Sequence, residues 1–400
     1  MPEKRKASQD LSTNISSVPS CAASLENTAD RKSRARMQRK TSPDHPLTSH
    51  PLLVDQPQRN SVTGTFDPEA YTVGWVTSLS LELAAAIAML DEEHEQPRDF
   101  EKPSTDRNTY TWGRIGEHNV VIASLPAGIY GITSAATTAS SMLSSFPQIR
   151  VGLMVGIGAG IARPEQGRDI RLGDIVISQP AGQSGGVIQY DLGKVKTAGQ
   201  FQRVGNLNMP PEALLKALAK LQAQHELKPS EVPKILEKML RNNPHMARSK
   251  QGKPGYVYQE EHNDRLFAAS YKHAEGFDCR KCDSQQAIAR DPRDSTEPEI
   301  HYGVIASGSQ LVKDGLTRDS IVQGIGEECI CLEMEAAGLM NSFPCLVIRG
   351  ICDYADSHKN DRWQRYAAAT AAAYAKEFLG VVPREDLKRT QKAIDVLKES

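Results

Sequence analysis

Two carboxylates in the carboxyl-terminal part of the chain have the spacing of a catalytic pair. Glu335 lies in the run Glu333-Met334-Glu335-Ala336-Ala337, and Asp353 follows eighteen residues later, each after a short apolar segment. Open α/β sheets bind ligands at the carboxyl ends of their strands, so we expect both side chains to face one crevice. One could accept hydrogen bonds from sugar hydroxyls while the other holds a proton for a leaving group. The structural alternative is an acid that begins a helix and an aspartate that caps a loop.

A glycine-rich segment, Gly156-x-Gly158-x-Gly160, invites comparison with dinucleotide-binding loops. The spacing fails, because Ile161 stands where the third glycine of that motif belongs and Pro164 interrupts the helix that should follow. Gly-Lys-Ser and Gly-Lys-Thr, the ends of a phosphate-binding P-loop, are also missing from the sequence. We predict a glycine turn that closes a buried strand, either to let a flat ligand approach the backbone or simply to turn tightly.

A possible metal motif lies further along the chain. Cys279-x-x-Cys282, with His262 and His273 upstream, could supply four ligands to a structural zinc ion. The alternative is two ordinary thiols or an oxidisable pair.

The elements that must position these residues alternate between strand and helix patterns. We predict strands at 71–76, 151–155, 171–177, 300–306, 329–334 and 345–351, and a hairpin of 110–115 with 119–125 turned at Gly116. Helices are predicted at 81–90, 134–143, 211–222, 233–240, 317–324, 335–341, 363–379 and 383–400. This alternation is typical of a layered α/β fold.

Composition limits the classes of function. The 400 residues are 39% apolar and 24% charged, and a net charge of −1 gives no overall attraction to nucleic acid or anionic lipid. Seven cysteines fit a reducing compartment, and the sequence has neither a membrane-length apolar run nor a secretory signal. We expect a cytoplasmic protein, or a nuclear one if the basic clusters near the N-terminus act as a localisation signal.

Three regions differ in composition. Residues 1–68 are rich in Ser, Pro, Lys and Arg, and we predict a disordered basic arm. Residues 69–382 form the predicted catalytic domain, broken at about 182–299 by a polar insertion that we interpret as a lid over a pocket. Residues 383–400 form a charged C-terminal helix or linker.

Seven segments resemble the nucleoside phosphorylase superfamily, which includes methylthioadenosine/S-adenosylhomocysteine nucleosidase. They are residues 73–76, 128–131, 156–161, 172–176, 307–308, 333–337 and 348–353, in the order and spacing of that superfamily. The chain is similar in particular to the fungal nucleoside-phosphorylase-like domains found at the N-terminus of proteins with an NTPase module or repeats. The resemblance spans about residues 71–379 and implies a three-layer α/β/α fold with a central mixed sheet.

The resemblance also implies roles for individual residues. Asp353 matches the aspartate that protonates the purine, typically at N7, and Cys352 stands where a serine or threonine commonly precedes that acid. Glu335 matches the glutamate that accepts hydrogen bonds from the ribose hydroxyls, and Met334 the methionine that packs against the sugar. Glu82 matches the glutamate that positions water in the nucleosidases. The base would be lined by Gly158, Ala159, Leu311 and Val312.

Hydrolysis and phosphorolysis differ in what the first loop must bind. Phosphorylases commonly hold phosphate with a glycine loop and an arginine soon after the first strand, and residues 77–90 contain no arginine. Glu82 would repel a phosphate dianion and suits water activation. We therefore expect hydrolysis of purine nucleosides to free base and ribose without a required cofactor. The alternative is phosphorolysis, with phosphate as the co-substrate.

A different class of function stays open. The domain could be a nucleoside-binding effector or sensor in defence signalling with little turnover, since a fold does not prove catalysis. The expected partners are a purine nucleoside and further copies of the chain in a homo-oligomer, without a membrane. Nucleic acid would bind weakly at most, through the N-terminal arm.

Overall fold

The computed structural model describes residues 66–326 and 329–399, so the predicted N-terminal arm lies outside the described residues except for its last three. The strands of the described part are β1 (Val73–Thr77), β2 (Glu92–His94), β3 (Tyr110–Ile115), β4 (His118–Ser124), β5 (Val151–Gly160), β6 (Ile175–Ser178), β7 (Val187–Gln189), β8 (Gly193–Val195), β9 (Phe201–Arg203), β10 (Ile300–Ser307), β11 (Cys329–Glu333) and β12 (Cys345–Asp353). Its helices are α1 (Ser80–Met89), α2 (Ile132–Ser145), α3 (Glu212–Leu227), α4 (Val232–Asn242), α5 (Gly315–Ile325), α6 (Gln364–Leu379), α7 (Arg384–Arg389) and α8 (Ala393–Glu399).

One mixed sheet organises the domain. Its strands lie in the order β11-β10-β6-β12-β5-β1-β4-β3-β2, with β7 beside β10, while β8 and β9 pair separately. The neighbours β4, β1, β5 and β12 are parallel, and β12 meets β6 antiparallel. The end of β11 also pairs antiparallel with the end of β5, where Leu332 lies opposite Ala159. The sheet therefore curls until its edge strand reaches the end of a central strand, and the predicted α/β class with a central mixed sheet is confirmed.

Helices cover both faces of this sheet. Gly152 of β5 faces the ring of Phe343, and a Cβ there would lie 2.0 Å from a ring carbon. Gly350 of β12 points to the other face, where a Cβ would lie 1.8 Å from the carbonyl oxygen of Ala367 in α6. The alanine-rich helix α6, with Ala367 to Ala373 almost fully buried, therefore packs directly on the strand that ends at Asp353.

Tertiary contacts change four of the predicted elements. The strand predicted to close at a glycine turn continues through Gly160 as β5, and the helix predicted at 335–341 is a short 3₁₀ turn at Ala336–Gly338. The C-terminal segment forms two short helices, α7 and α8. Strand β7 lies inside the predicted insertion but belongs to the main sheet.

The helices of the insertion pack behind the sheet and not over a pocket. Glu377 of α6 receives hydrogen bonds from Ser230 Oγ (2.6 Å) and Glu231 N (2.8 Å), and it contacts His225 Nε2 at 3.0 Å. These contacts dock α3 and α4 against α6, and neither helix lines the pocket described below. The structure therefore places these two helices away from that pocket, whereas Tyr190 of the same insertion lines it.

The hydropathy of the helices bears on membrane association. Across 66–326 and 329–399, every helix is too short or too polar to cross a bilayer.

Replacing Gly350 tests the close contact between β12 and α6. We expect Gly350→Ala to lower the free energy of unfolding by about 1–3 kcal/mol, because the new methyl group has no room against the Ala367 carbonyl. Urea unfolding measures the change. The matched control is Gly324→Ala in α5, where a Cβ meets open space, and it should be neutral or stabilise by up to about 1 kcal/mol. Equal effects of the two substitutions would refute the packing argument.

Candidate active site

A cavity of about 280 Å³ lies where the ends of β5, β11 and β12 meet the start of α1. This site gathers every residue to which the sequence assigned a role in catalysis or in sugar and base binding. Those residues are Glu82, Gly158, Ala159, Leu311, Val312, Met334, Glu335 and Asp353.

A fully buried arginine stands behind the acidic wall of this pocket. Arg349, in the middle of β12, has no exposed surface, and its guanidinium pairs with Glu333 and, at 3.3 Å, with Glu335 Oε2. Gly156, opposite Arg349 in the sheet, leaves space for both Arg349 and Glu82, since a Cβ there would lie 2.6 Å and 2.5 Å from their polar atoms. The positive charge of Arg349 is therefore shared by three carboxylates, those of Glu82, Glu333 and Glu335.

Arg349 and Glu333 were missed as site residues by sequence reasoning. The signal that could have found the arginine is a charge inside the apolar strand Cys345–Asp353, because a buried cation requires anionic partners. Which acids would reach it depends on the curl of β11 onto β5, and no local pattern encodes that closure.

Glu333 also explains why the chain turns instead of continuing as a helix. Its carboxylate accepts hydrogen bonds from the backbone N–H groups of Glu335 and Ala336 at 3.1–3.2 Å. The next backbone N–H group, that of Ala337, donates a hydrogen bond to Ser307 Oγ at 2.9 Å. The turn fixed by these bonds places Met334 and Glu335 in the wall of the pocket.

The ionisation of Glu335 reflects its crowded surroundings. Burial raises its pKa to about 7 together with the nearby carboxylates of Glu333 and Glu82, against the lowering effect of Arg349. At neutral pH a proton on this group is therefore exchanged easily, so Glu335 can act both as an acceptor and as a donor toward hydroxyl groups.

Glu82, at the third position of α1, is held by three backbone donors. It accepts hydrogen bonds from Ser78 N (2.7 Å), Leu79 N (2.9 Å) and Ile157 N (2.8 Å). Burial raises its pKa, while Arg349 and these hydrogen bonds oppose the rise. Since a carboxylate offers about four acceptor positions, room remains for one further donor from the pocket.

Asp353 is aimed into the pocket by a bulge at the end of β12. The register with β5 slips between Ile351 and Asp353, so Cys352 is the extra residue. Asp353 accepts hydrogen bonds from Ala355 N (2.9 Å) and from Cys352 Sγ (3.0 Å), the thiol at the position where the superfamily commonly has a hydroxyl. Ala355 has a positive φ of 53°, a conformation that costs a non-glycine residue energy and marks a constrained loop.

Lys359, which the sequence reasoning also missed, forms an ion pair with Asp353 inside the pocket. Burial lowers the pKa of Lys359, but the Asp353 carboxylate more than offsets this, so its pKa is raised overall. Lys359 is therefore held in its charged form beside Asp353, next to the residues that line the proposed base position.

Tyr190 forms part of the wall near those base-lining residues. Its ring lies against Gly308, where a Cβ would be 2.4 Å from the ring, and its hydroxyl donates to Gln310 O at 3.2 Å. Tyr190 belongs to the same apolar cluster as Ala159 and Leu332. An aromatic and aliphatic surface of this kind suits a flat heterocycle.

The predicted zinc ligands are only partly brought together, and they lie outside the pocket. Ligand atoms of His273, Cys279 and Cys282 all lie within 4.8 Å of one another. His262 is not in this group, and its Nε2 lies 3.0 Å from Asn263 Nδ2. Of the four ligands predicted from the sequence, the structure therefore groups three and leaves His262 outside the group.

Comparisons with known proteins give the following relatives. No protein-family model matches the chain. A nucleotide-binding leucine-rich repeat (NLR)-like protein of Hyaloscypha variabilis is 45% identical over 325 residues, 80% of this chain. The chain spans about 30% of the length of that curated relative.

Several solved structures are similar in fold. The methylthioadenosine/S-adenosylhomocysteine nucleosidase of Neisseria meningitidis is 15% identical, with a TM-score of 0.47, over 77% of this chain and 98% of that one. Futalosine hydrolase of Helicobacter pylori is 15% identical, with a TM-score of 0.45, over 78% and 97%. The S. pneumoniae methylthioadenosine/S-adenosylhomocysteine nucleosidase is 17% identical, with a TM-score of 0.46, over 78% and 100%. These structural neighbours are nucleosidases, the type of enzyme that the sequence motifs resemble.

The raised pKa of Glu335 predicts how stability depends on pH. The folded chain keeps a proton on Glu335 up to about pH 7, whereas an unfolded glutamate releases it near 4.5. Because the folded state binds the extra proton, the free energy of unfolding should fall as pH rises through this window. Glu335→Gln should make that decline less steep in urea unfolding at successive pH values, while the raised pKa of Glu82 still contributes a part of it. Glu212→Gln, on the exposed surface of α3, should keep it; a slope unchanged in Glu335→Gln contradicts the prediction.

Proposed function

We propose that the pocket cleaves the N-glycosidic bond of purine nucleosides by hydrolysis, releasing free base and ribose. The observation that carries this proposal is the grouping in one pocket of the acidic wall around Arg349 and the Asp353–Lys359 pair. Glu82 accepts a hydrogen bond from Ile157 N, and Asp353 lies opposite Ala159, two residues further along β5. That offset is roughly 7 Å along the strand, enough for a sugar to lie between the two acids.

The acidic wall suits the ribose side of the reaction. As the bond between C1′ and the base nitrogen breaks, the sugar gains positive charge, and electrostatic stabilisation is strongest where fixed opposite charge already faces it. Glu82, Glu333 and Glu335 exceed the single cation Arg349 in number, so the wall carries excess negative charge whenever Glu335 is ionised. Glu335 accepts hydrogen bonds from the ribose hydroxyls, and Met334 packs against the ring.

Glu82 positions and deprotonates the attacking water. Its backbone bonds fix the carboxylate, and its remaining acceptor position takes one O–H of the water. The water oxygen forms the new bond to C1′, and its proton passes to Glu82. The raised pKa of this buried carboxylate makes it a better base than an exposed glutamate.

The Asp353–Lys359 pair serves the leaving base. The electron pair of the broken C1′–N bond moves into the purine, which is neutralised when the pair delivers a proton to its N7. Cys352 and Ala355 hold the Asp353 carboxylate in place during this transfer. The proton taken up by Glu82 returns through solvent, so the cycle needs no cofactor.

The same contacts disfavour phosphate as the nucleophile. The N–H groups of Ser78 and Leu79, which would face an anion in the first loop, donate to the Glu82 carboxylate. Arg349 is paired with acids, and the cations lining the described pocket are Lys359, paired with Asp353, and Lys313, exposed at the rim. A phosphate dianion at the first loop would therefore meet the Glu82 carboxylate, since the N–H donors of that loop are already used.

Phosphate dependence tests hydrolysis directly. The purified chain is incubated with adenosine, inosine, guanosine and methylthioadenosine, with and without phosphate, in water enriched in oxygen-18. We expect free base at equal rates in both conditions and one heavy oxygen in the released sugar. Formation of a sugar 1-phosphate, or strict need for phosphate, would establish phosphorolysis instead.

A substitution at the acid tests its role. Asp353→Asn should lower kcat at least about 100-fold, in line with the usual contribution of a positioned acid or base. The matched control is Asp91→Asn, because Asp91 forms a comparable pair with Lys376 (2.6 Å) away from the pocket. Asp91→Asn should change kcat less than about twofold. Full activity in Asp353→Asn would exclude this residue as the acid.

The NLR-like relative favours a second candidate function, a nucleoside-binding sensor domain within a longer signalling protein. In that case the pocket would bind nucleosides without releasing base. Isothermal titration of the four nucleosides, run beside the turnover assay, separates the candidates. Binding accompanied by base release supports the hydrolase, and binding without it supports the sensor.

A further inference from the structure

A second cluster of reactive side chains lies outside the pocket, in the polar insertion. Cys279 and Cys282 flank a short 3₁₀ turn, and His273 stands in the loop before it, with ligand atoms of all three within 4.8 Å of one another. Cys282 is buried, and Cys279 and His273 are partly buried. Two sulfurs and an imidazole so close together match three corners of a tetrahedral zinc site.

A candidate fourth donor, His358, lies beside the cluster in the loop after β12, with its ring nitrogens outside the 4.8 Å group formed by the other three residues. His358 is 5% exposed, and neither of its ring nitrogens has a hydrogen-bond partner among the described residues. Its ring centroid lies 5.3 Å from that of His273 in an edge-on arrangement, and its carbonyl oxygen lies 3.9 Å from Cys279 Sγ. The ring centroids of two imidazoles bound to one tetrahedral ion lie roughly 5 Å apart, given a Zn–N bond of about 2.1 Å.

The surroundings of His358 supply the orientation that a metal ligand needs. Asp356 Oδ2 lies 3.5 Å from His358 Nδ1 and also lacks a hydrogen-bond partner within 66–326 and 329–399. Metal-bound histidines commonly direct their second nitrogen to a carboxylate in this manner. Phe267 stacks on the His358 ring at 4.0 Å, so the plane of the ring is already set.

We propose that Cys279, Cys282, His273 and His358 bind one structural zinc ion, with Asp356 orienting His358. Binding displaces the two thiol protons, which leave to solvent. The zinc has no part in the chemistry proposed for the pocket.

A second group of ligand-type side chains in the described residues is a poorer candidate for a metal site. Asp174, Glu299 and His301 also lie within ligand distance of one another. However, both oxygens of Asp174 already receive hydrogen bonds from Arg293, at 2.6 and 2.7 Å. The arginine supplies the positive charge that a metal ion would bring.

The zinc site would join the insertion to the active-site loop. His273 N donates to Ser357 Oγ at 3.0 Å, and His358 is followed by Lys359, the partner of Asp353. A metal bound to both segments would hold residues 356–359 in the position that pairs Lys359 with Asp353. This consequence rests on the proposed function, whereas metal binding itself does not.

Metal content tests the proposal without any nucleoside. The chain is expressed with added zinc, freed of loose metal by gel filtration and measured by inductively coupled plasma mass spectrometry. We expect about one zinc per chain, and at least a tenfold loss in Cys279→Ser/Cys282→Ser. His262→Ala, which removes the nearby histidine outside the cluster, should keep the full content. Substitution by cobalt should give the near-ultraviolet thiolate-to-cobalt absorption of a two-thiolate site.

His358→Gln keeps the test sharp if the double cysteine variant fails to fold. It should weaken zinc affinity at least tenfold in a competition with a chromogenic chelator, while far-ultraviolet circular dichroism stays unchanged. Unchanged affinity in His358→Gln would overturn its assignment as the fourth ligand. A metal-free wild-type chain after zinc supplementation, or a Cys279–Cys282 disulfide found by mass spectrometry, would overturn the site as a whole. Neither result depends on whether nucleosides are cleaved.

Discussion

The buried guanidinium of Arg349 is the constraint around which the site is built. An arginine does not lose its charge in a protein, so a fully buried one must be matched by acids or it destabilises the fold by about 3–5 kcal/mol. The matching acids come from separate elements: Glu82 from α1, Glu333 from the end of β11, and Glu335 from the turn that follows. The same interaction that neutralises the arginine therefore brings three elements together and assembles the pocket wall.

Three acids around one cation also bias what the pocket can hold. Burial of Glu335 keeps its pKa near 7, so the wall changes charge within the physiological range. A neutral nucleoside meets no electrostatic penalty there, and a sugar that gains positive charge is stabilised, whereas an anion is repelled. In the proposed reaction, this charge balance would favour water over phosphate as the nucleophile, and a single arginine placed near Glu82 would be expected to shift the balance.

Much of the fold could be predicted from local pattern, because buried strands such as β12 read as apolar runs and the hairpin β3–β4 is turned at Gly116. The sequence also pointed to Glu335 and Asp353. It failed where distant contacts decide local structure. β5 runs through its glycines because Cys331 and Ile351 pack against Gly158 and Gly160, and the helix expected after Glu335 is replaced by a turn that the Glu333 carboxylate holds. Arg349 was missed because its partners meet only after β11 reaches β5.

The loop after β12 shows why a matching aspartate does not by itself define an acid. In the proposed reaction, proton delivery by Asp353 would depend on Lys359, six residues later, and the loop between them is constrained by the positive φ of Ala355. The ring of the adjacent His358 is packed against Phe267, and its carbonyl oxygen lies 3.9 Å from Cys279 Sγ in the insertion. If both proposals hold, the polar insertion is connected to the reaction through the position of Lys359. A change at the cysteine pair would then alter proton delivery to the base while leaving the acidic wall, which depends on Arg349, intact.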